Sequence, residues 1–75
     1  MNEANRIARL VIGCDAAVNP RNPWCVRVYE RDEDGREYES SSDGLAADDQ
    51  AGAEHAARRY AGVADDYPVE VVDEG

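Results

Sequence analysis

The sequence predicts a small α+β domain: an antiparallel β-sheet with one α-helix packed on a single face, in the order β-β-β-α-β. Three observations predict it. A β-branched and aromatic run, WCVRVYERD at residues 24–32, alternates in polarity and leads through a Gly-closed loop into a second extended run. An Ala-rich stretch over residues 45–62 repeats its apolar positions at helical spacing. A chain of 75 residues has room for one core, so these elements must share it. Residues 1–75 therefore read as a single domain, with residues 1–5 a polar start that frays and residues 73–75 an acidic tail.

The first strand is predicted over residues 6–12 (RIARLVI), with Ala8, Leu10 and Ile12 on one face and Ile7, Arg9 and Val11 on the other. Residues 13–23 (GCDAAVNPRNP) read as a loop, because Pro20 and Pro23 push the residues before them out of helical geometry. The second strand, residues 24–32, places Trp24, Val26 and Val28 on one side and Cys25, Arg27 and Tyr29 on the other. Glu33, Asp34 and Gly35 close a hairpin onto residues 36–42 (REYESSS), with glycine at the left-handed position. That register sets Asp32 against Arg36, Arg31 against Glu37 and Tyr29 against Glu39, and puts Tyr38 and Ser40 on the face of Val28.

The helix is predicted over residues 45–62, with a stripe of Ala46, Ala53, Ala56, Ala57, Tyr60 and Ala64. Asp48 and Asp49 fall in its first turns, Arg58 and Arg59 in its last, and Gly62 at its stop. Tyr60 is the expected anchor of this otherwise Ala-faced helix, and Tyr60 and Leu45 are expected to supply most of its bulk. A turn at residues 65–68 (DDYP) leads to a final strand over residues 69–72, expected to run antiparallel to residues 24–32. The expected core is Leu10, Trp24, Val26, Val28, Tyr38, Ala53, Ala56, Ala57, Tyr60, Val69 and Val71.

Charge excludes several function classes. Seventeen acids against eight bases give a net charge of −9, and every base is arginine. Phosphate binding needs clustered cations, so direct nucleic-acid binding is not expected, nor is binding to an anionic membrane. No run approaches the length of a membrane span and no signal-peptide core follows Met1, so the expected location is the cytoplasm of the host cell. Two readings of the acidity stand side by side: a solvated surface of a small acidic domain from an acid-rich proteome, as a monomer or a homodimer, or a surface that engages a basic partner.

No catalytic constellation emerges. Cys14 and Cys25 are the only cysteines and His55 the only histidine, too few ligands for a structural zinc site, so neither metal nor cofactor is expected. Whether the two thiols are free or bridged stays open at this level, and a cysteine-based redox or metal module is a third reading. His55 lies nearly opposite the alanine stripe, on a solvent face. The carboxylate pairs Asp32/Asp34, Asp48/Asp49 and Asp65/Asp66 lack the buried cleft that general acid–base work requires. They are better candidates for contact with a partner. The expected contact cluster is Asp32, Glu33 and Asp34 in the hairpin loop with Asp65 and Asp66 in the last turn; Asp48, Asp49 and Glu54 form a second, helical patch.

The stretch Pro20-Arg21-Asn22-Pro23, the strand after it, then Glu30-Arg31-Asp32 and the Gly-closed hairpin resemble the small anti-CRISPR proteins of phages, nearest to inhibitors of type I (subtype I-F) systems. The likeness covers residues 19–73, and the acid-heavy helix start and longer hairpin loop depart from it. It implies a stoichiometric, non-enzymatic inhibitor. Such a protein binds a Cas subunit of the surveillance complex and blocks DNA binding or nuclease recruitment.

Overall fold

The computed structural model describes residues 7–15, 17 and 20–73, with the side chain of Asp73 left aside. The expected frayed start, Arg6 of the first strand, and Glu74 and Gly75 of the tail lie outside these residues. The elements are β1 (Ile7–Cys14), β2 (Trp24–Arg31), β3 (Glu37–Gly44), α1 (Gln50–Ala61) and β4 (Glu70–Asp73). This is the predicted small α+β order. The four strands lie in the order β3-β2-β1-β4. β1–β2 and β2–β3 are antiparallel, whereas β4 joins β1 in parallel, so the sheet is mixed. The last strand does run opposite to β2, as expected. It is β1 that stands between them, and a strand entering through the α1 crossover next to β1 must be parallel to it.

Alternation on β2 is as the sequence reads: Val26 and Val28 are buried beneath the helix, with Trp24 packed against them. β1 extends two residues further than expected, through Gly13 and Cys14, because β2 on one side and β4 on the other supply backbone partners there. A bulge at Ala8 shifts the register, so Ile7 packs with Leu10 and Ile12 rather than opposite them. Gly13 stands beside Cys25 and Cys14 beside Trp24. Adjacent positions on a strand point to opposite faces, so the two sulfurs lie on different sides of the sheet and both thiols are free.

The β2–β3 hairpin keeps the predicted register at its loop end, with Arg31 opposite Glu37, Glu30 opposite Tyr38 and Tyr29 opposite Glu39. Beyond that a bulge intervenes, and Ser41, not Ser40, pairs with Val28. The Ser40 hydroxyl donates to the Val28 carbonyl at 3.2 Å beside this bulge. β3 continues to Gly44 and every residue of it is exposed. Tyr38, expected in the core, is 48% exposed, because α1 packs on β1 and β2 and leaves β3 uncovered.

α1 begins five residues later than predicted. Leu45 is buried in the core instead, its N–H donating to the Trp24 carbonyl at 2.9 Å. Asp49 is the N-cap, its carboxylate accepting from the Gly52 N–H at 2.8 Å, and Asp48 precedes it. Neither acid lies inside the first turn. An aspartate competes for backbone N–H groups and so starts a helix better than it continues one. The C-terminus matches: Gly62 adopts φ 72° and its cap bonds reach the Arg58 and Arg59 carbonyls. The buried stripe is Ala53 and Ala57, with Ala56 and Ala61 partly covered. Tyr60 is 42% exposed on the rim, and Ala46 and Ala64 are exposed. Tyr60 is therefore not the anchor. The bulk beneath the helix comes from the sheet and from Leu45. Val71, also expected in the core, is 43% exposed on the edge strand β4, while Val69 is half-buried.

Candidate functional site

Each sequence-predicted acid has a definite place. Asp32 holds the hairpin: its Oδ1 accepts from the Asp34 N–H at 2.9 Å and the Arg36 N–H at 3.0 Å. Backbone bonds from Asp32 N to Arg36 O and from Gly35 N to Asp32 O close the same turn, with Gly35 at φ 83°. The carboxylate of Asp32 is thus committed to the loop, and those of Glu33 and Asp34 project from it into solvent.

Asp65 and Asp66 are the two central residues of a turn closed by the Tyr67 N–H on the Ala64 carbonyl at 3.1 Å. Two contacts tie that turn to the rest of the fold. The Arg58 guanidinium donates to the Tyr67 carbonyl at 2.7 Å, and the Tyr67 hydroxyl donates to the Ile7 carbonyl at 3.3 Å. Ile7 pairs with Glu30, and Glu30 with Tyr38 at the base of the hairpin. The turn and the hairpin loop consequently share one end of the sheet, as the connectivity predicts. They are separated by β1 and β2, about 10 Å at ~4.8 Å per strand.

Asp48 and Asp49 lie at the opposite end. They line an open cleft of about 550 Å³ with Arg21, Asn22, Ala46, Ala47 and Gly52. The helix places them roughly 18 Å from its own last turn at 1.5 Å per residue. Glu54 is between the two ends and is held internally, by the Gln50 amide at 3.0 Å and Arg58 at 3.5 Å. The helical acids therefore do not form one patch with the hairpin acids.

The sheet face away from α1 is where most paired charge is found. The Arg9 guanidinium lies over the Tyr29 ring at 4.7 Å and reaches Glu37 at 2.9 Å and Glu70 at 3.3 Å. Arg27 pairs with Glu39 at 3.8 Å and Arg31 with Glu37 at 4.0 Å. The Arg31–Glu37 pair was legible from the hairpin register, but Arg9 was not. It bridges strands from both edges of the sheet, which requires the strand order. These pairs are exposed and each contributes little to stability, yet they neutralise Glu37, Glu39 and Glu70 locally.

Among the described residues, Glu30, Glu33, Asp34, Asp48, Asp65 and Asp66 make no ion pair or side-chain hydrogen bond. All but Asp48 lie at the hairpin end. Glu30 was missed as a member of this group, because its position beside Ile7 depends on the β1 bulge. Arg31, Arg36 and Arg59 stand at the same end. Among the described residues no set of His, Cys, Asp and Glu is arranged to hold a metal, and no helix is long and apolar enough to cross a membrane. No family model, curated protein or solved structure matches the chain.

Proposed function

We propose that this chain is a non-enzymatic binding protein that engages a basic, nucleic-acid-handling protein through the sheet end carrying Glu33, Asp34, Asp65 and Asp66. An anti-CRISPR protein that blocks a type I surveillance complex is the specific form of this reading, and it rests on the Pro20-Arg21-Asn22-Pro23 and Glu30-Arg31-Asp32 resemblance. The observation that carries the general reading is how the acids are divided. Those on the open sheet face are tied to Arg9, Arg27 and Arg31, and Asp32 and Asp49 hold backbone N–H groups. Apart from Asp48, the acids left without internal partners collect at one end. These acids outnumber Arg31, Arg36 and Arg59 at that end, and a net negative field orients an approaching cationic surface and raises its association rate.

The experiment is a pull-down and rate measurement against purified type I surveillance complexes, with and without their DNA. The doubly charge-reversed variants Glu33→Lys/Asp34→Lys and Asp65→Lys/Asp66→Lys serve as probes, with Asp48→Lys as the control at the other end. The reading expects binding that either double variant slows at least tenfold at low salt, while the control changes it less than twofold. An absence of binding to every complex sinks the anti-CRISPR form. Equal effects of Asp48→Lys and the double variants sink the assignment to the hairpin end.

A further inference from the structure

The edge strand β3 carries more than the charge argument uses. Its residues are all exposed, it ends the strand order, and its eight residues contain neither Lys nor Pro, two of the residues that commonly protect a free edge. The Asp32 N–H bond to the Arg36 carbonyl and the Leu45 N–H bond to the Trp24 carbonyl set the phase of the ladder. Residues 36, 38, 41, 43 and 45 turn their backbone groups toward β2, with the bulge taking up the change of phase. The N–H and C=O groups of Glu37, Glu39, Ser42 and Gly44 therefore face outward, along an edge that no further strand joins among the described residues.

The two sides of this edge differ. On the face away from α1, Glu37 and Glu39 are matched by Arg9, Arg27 and Arg31. On the helix face stand Tyr38, half-exposed and opposite the unpaired Glu30, and, towards the far end of the strand, Asp43 opposite Val26. Arg58 faces the β4 side of the helix through its bond to Tyr67. At 100° per residue, Gly52, Ala56 and Tyr60 then turn toward β3. The helix face of β3 is thus an open shelf with two aromatic side chains and an acidic border.

We propose that the free edge of β3 takes up an extended basic segment of the partner as a fifth strand. Arg or Lys residues at alternate positions of that segment lie on the helix face, along Tyr38 and toward Glu30 and Asp43. The proposal rests on the reading that the partner is basic. The free backbone groups supply the pairing, and alternate side chains supply the selectivity. A guanidinium over an exposed tyrosine ring adds a favourable contact of the kind Arg9 already makes with Tyr29. A second copy of the chain is the poorer occupant. It would carry another net −9 to the same edge and bring Glu37, Glu39 and Asp43 of both copies together.

The probe is a nine-residue peptide alternating arginine and threonine, labelled for fluorescence anisotropy. Its control has the same sequence with five consecutive central backbone amides N-methylated, which keeps the charge and removes both pairing edges. The full chain should bind the control at least tenfold more weakly than the probe. Ser42→Pro removes an outward N–H without touching the β2 ladder, and should weaken the probe at least tenfold. Amide exchange at Glu39 and Ser42 in the parent chain should slow on adding probe, a readout that holds even if Ser42→Pro fails to fold. Equal binding of probe and control, lost in Glu33→Lys/Asp34→Lys, would overturn strand addition and leave the acidic-end reading standing. No binding of either peptide also overturns strand addition, while the surveillance-complex pull-down decides the other reading separately. A parent chain that sediments as a dimer, with Ser42→Pro a monomer, would assign the edge to a second copy and overturn the proposal.

Discussion

Asp32 and Glu33 are neighbours with the same charge and opposite roles. Asp32 accepts from two backbone N–H groups at 2.9 and 3.0 Å, while Glu33 makes no such bond. Removing the Asp32 carboxylate leaves the turn amides to water and frees the loop. Asp32→Ala should therefore cost about 1–2 kcal/mol in urea denaturation, and Glu33→Ala less than about 0.5 kcal/mol. Equal costs would show that the loop is not held by the Asp32 side chain. The same contrast holds at the helix start, where Asp49 caps and Asp48 does not. Asp49→Ala should cost about 1 kcal/mol. Charge alone makes these four acids look alike, and hydrogen-bond geometry separates the two that hold the fold from the two that project into solvent.

At the scale of elements, the helix is where reading the sequence goes furthest astray, and the cause is physical. A stripe of alanines has little contrast in size, so the one large residue near it, Tyr60, dominates the expected face. In the folded chain the helix sits on Ala53 and Ala57, both fully buried, because small side chains let its backbone approach Leu10, Ile12, Val26 and Val28 closely. Tyr60 takes the rim, where a ring with a polar tip is accommodated. Tyr60→Ala should thus cost clearly less than Ile12→Ala, for which loss of a fully buried side chain predicts roughly 2–5 kcal/mol. Thermal melts of the two variants decide this; a Tyr60→Ala variant as damaged as Ile12→Ala would put Tyr60 back in the core. A larger side chain at Ala57 has no space to enter, so Ala57→Leu should destabilise by about 1–3 kcal/mol through overpacking.

Over the whole molecule, net charge opposes compaction. With −9 on 75 residues and several acids unpaired at one end, self-repulsion exceeds what the exposed arginine pairs return. Salt screens both, but the repulsive sum is the larger. The melting temperature should therefore rise between about 10 mM and 200 mM NaCl, where the screening length shrinks from about 30 Å to under 10 Å. Glu33→Lys/Asp34→Lys should reduce that rise. A melting temperature that falls with salt would mean that the Arg9 network outweighs the repulsion. The same excess field is what a basic partner would meet first, so the salt dependence of stability and of association should share a source.

Local pattern in the sequence determined the strand β2 and its two faces, the hairpin register from Arg31 to Glu39, the Gly62 stop and the order β-β-β-α-β. Each of these is set by interactions a few residues long: alternation, a tight turn, a left-handed cap. It determined too that the hairpin loop and the α1–β4 turn share an end, because chain direction reverses at each connection. Tertiary structure alone decided the rest. The place of β1 between β2 and β4, the bulges at Ala8 and Ser40, the burial of Val11, and the exposure of Tyr38 and Tyr60 all depend on which surfaces meet. Whether an acid is spent on a cap, paired with an arginine from the far side of the sheet, or left without an internal partner also depends on that meeting. A residue's own neighbours in the chain set its backbone geometry, and its burial and its charge partners come from residues far away in sequence.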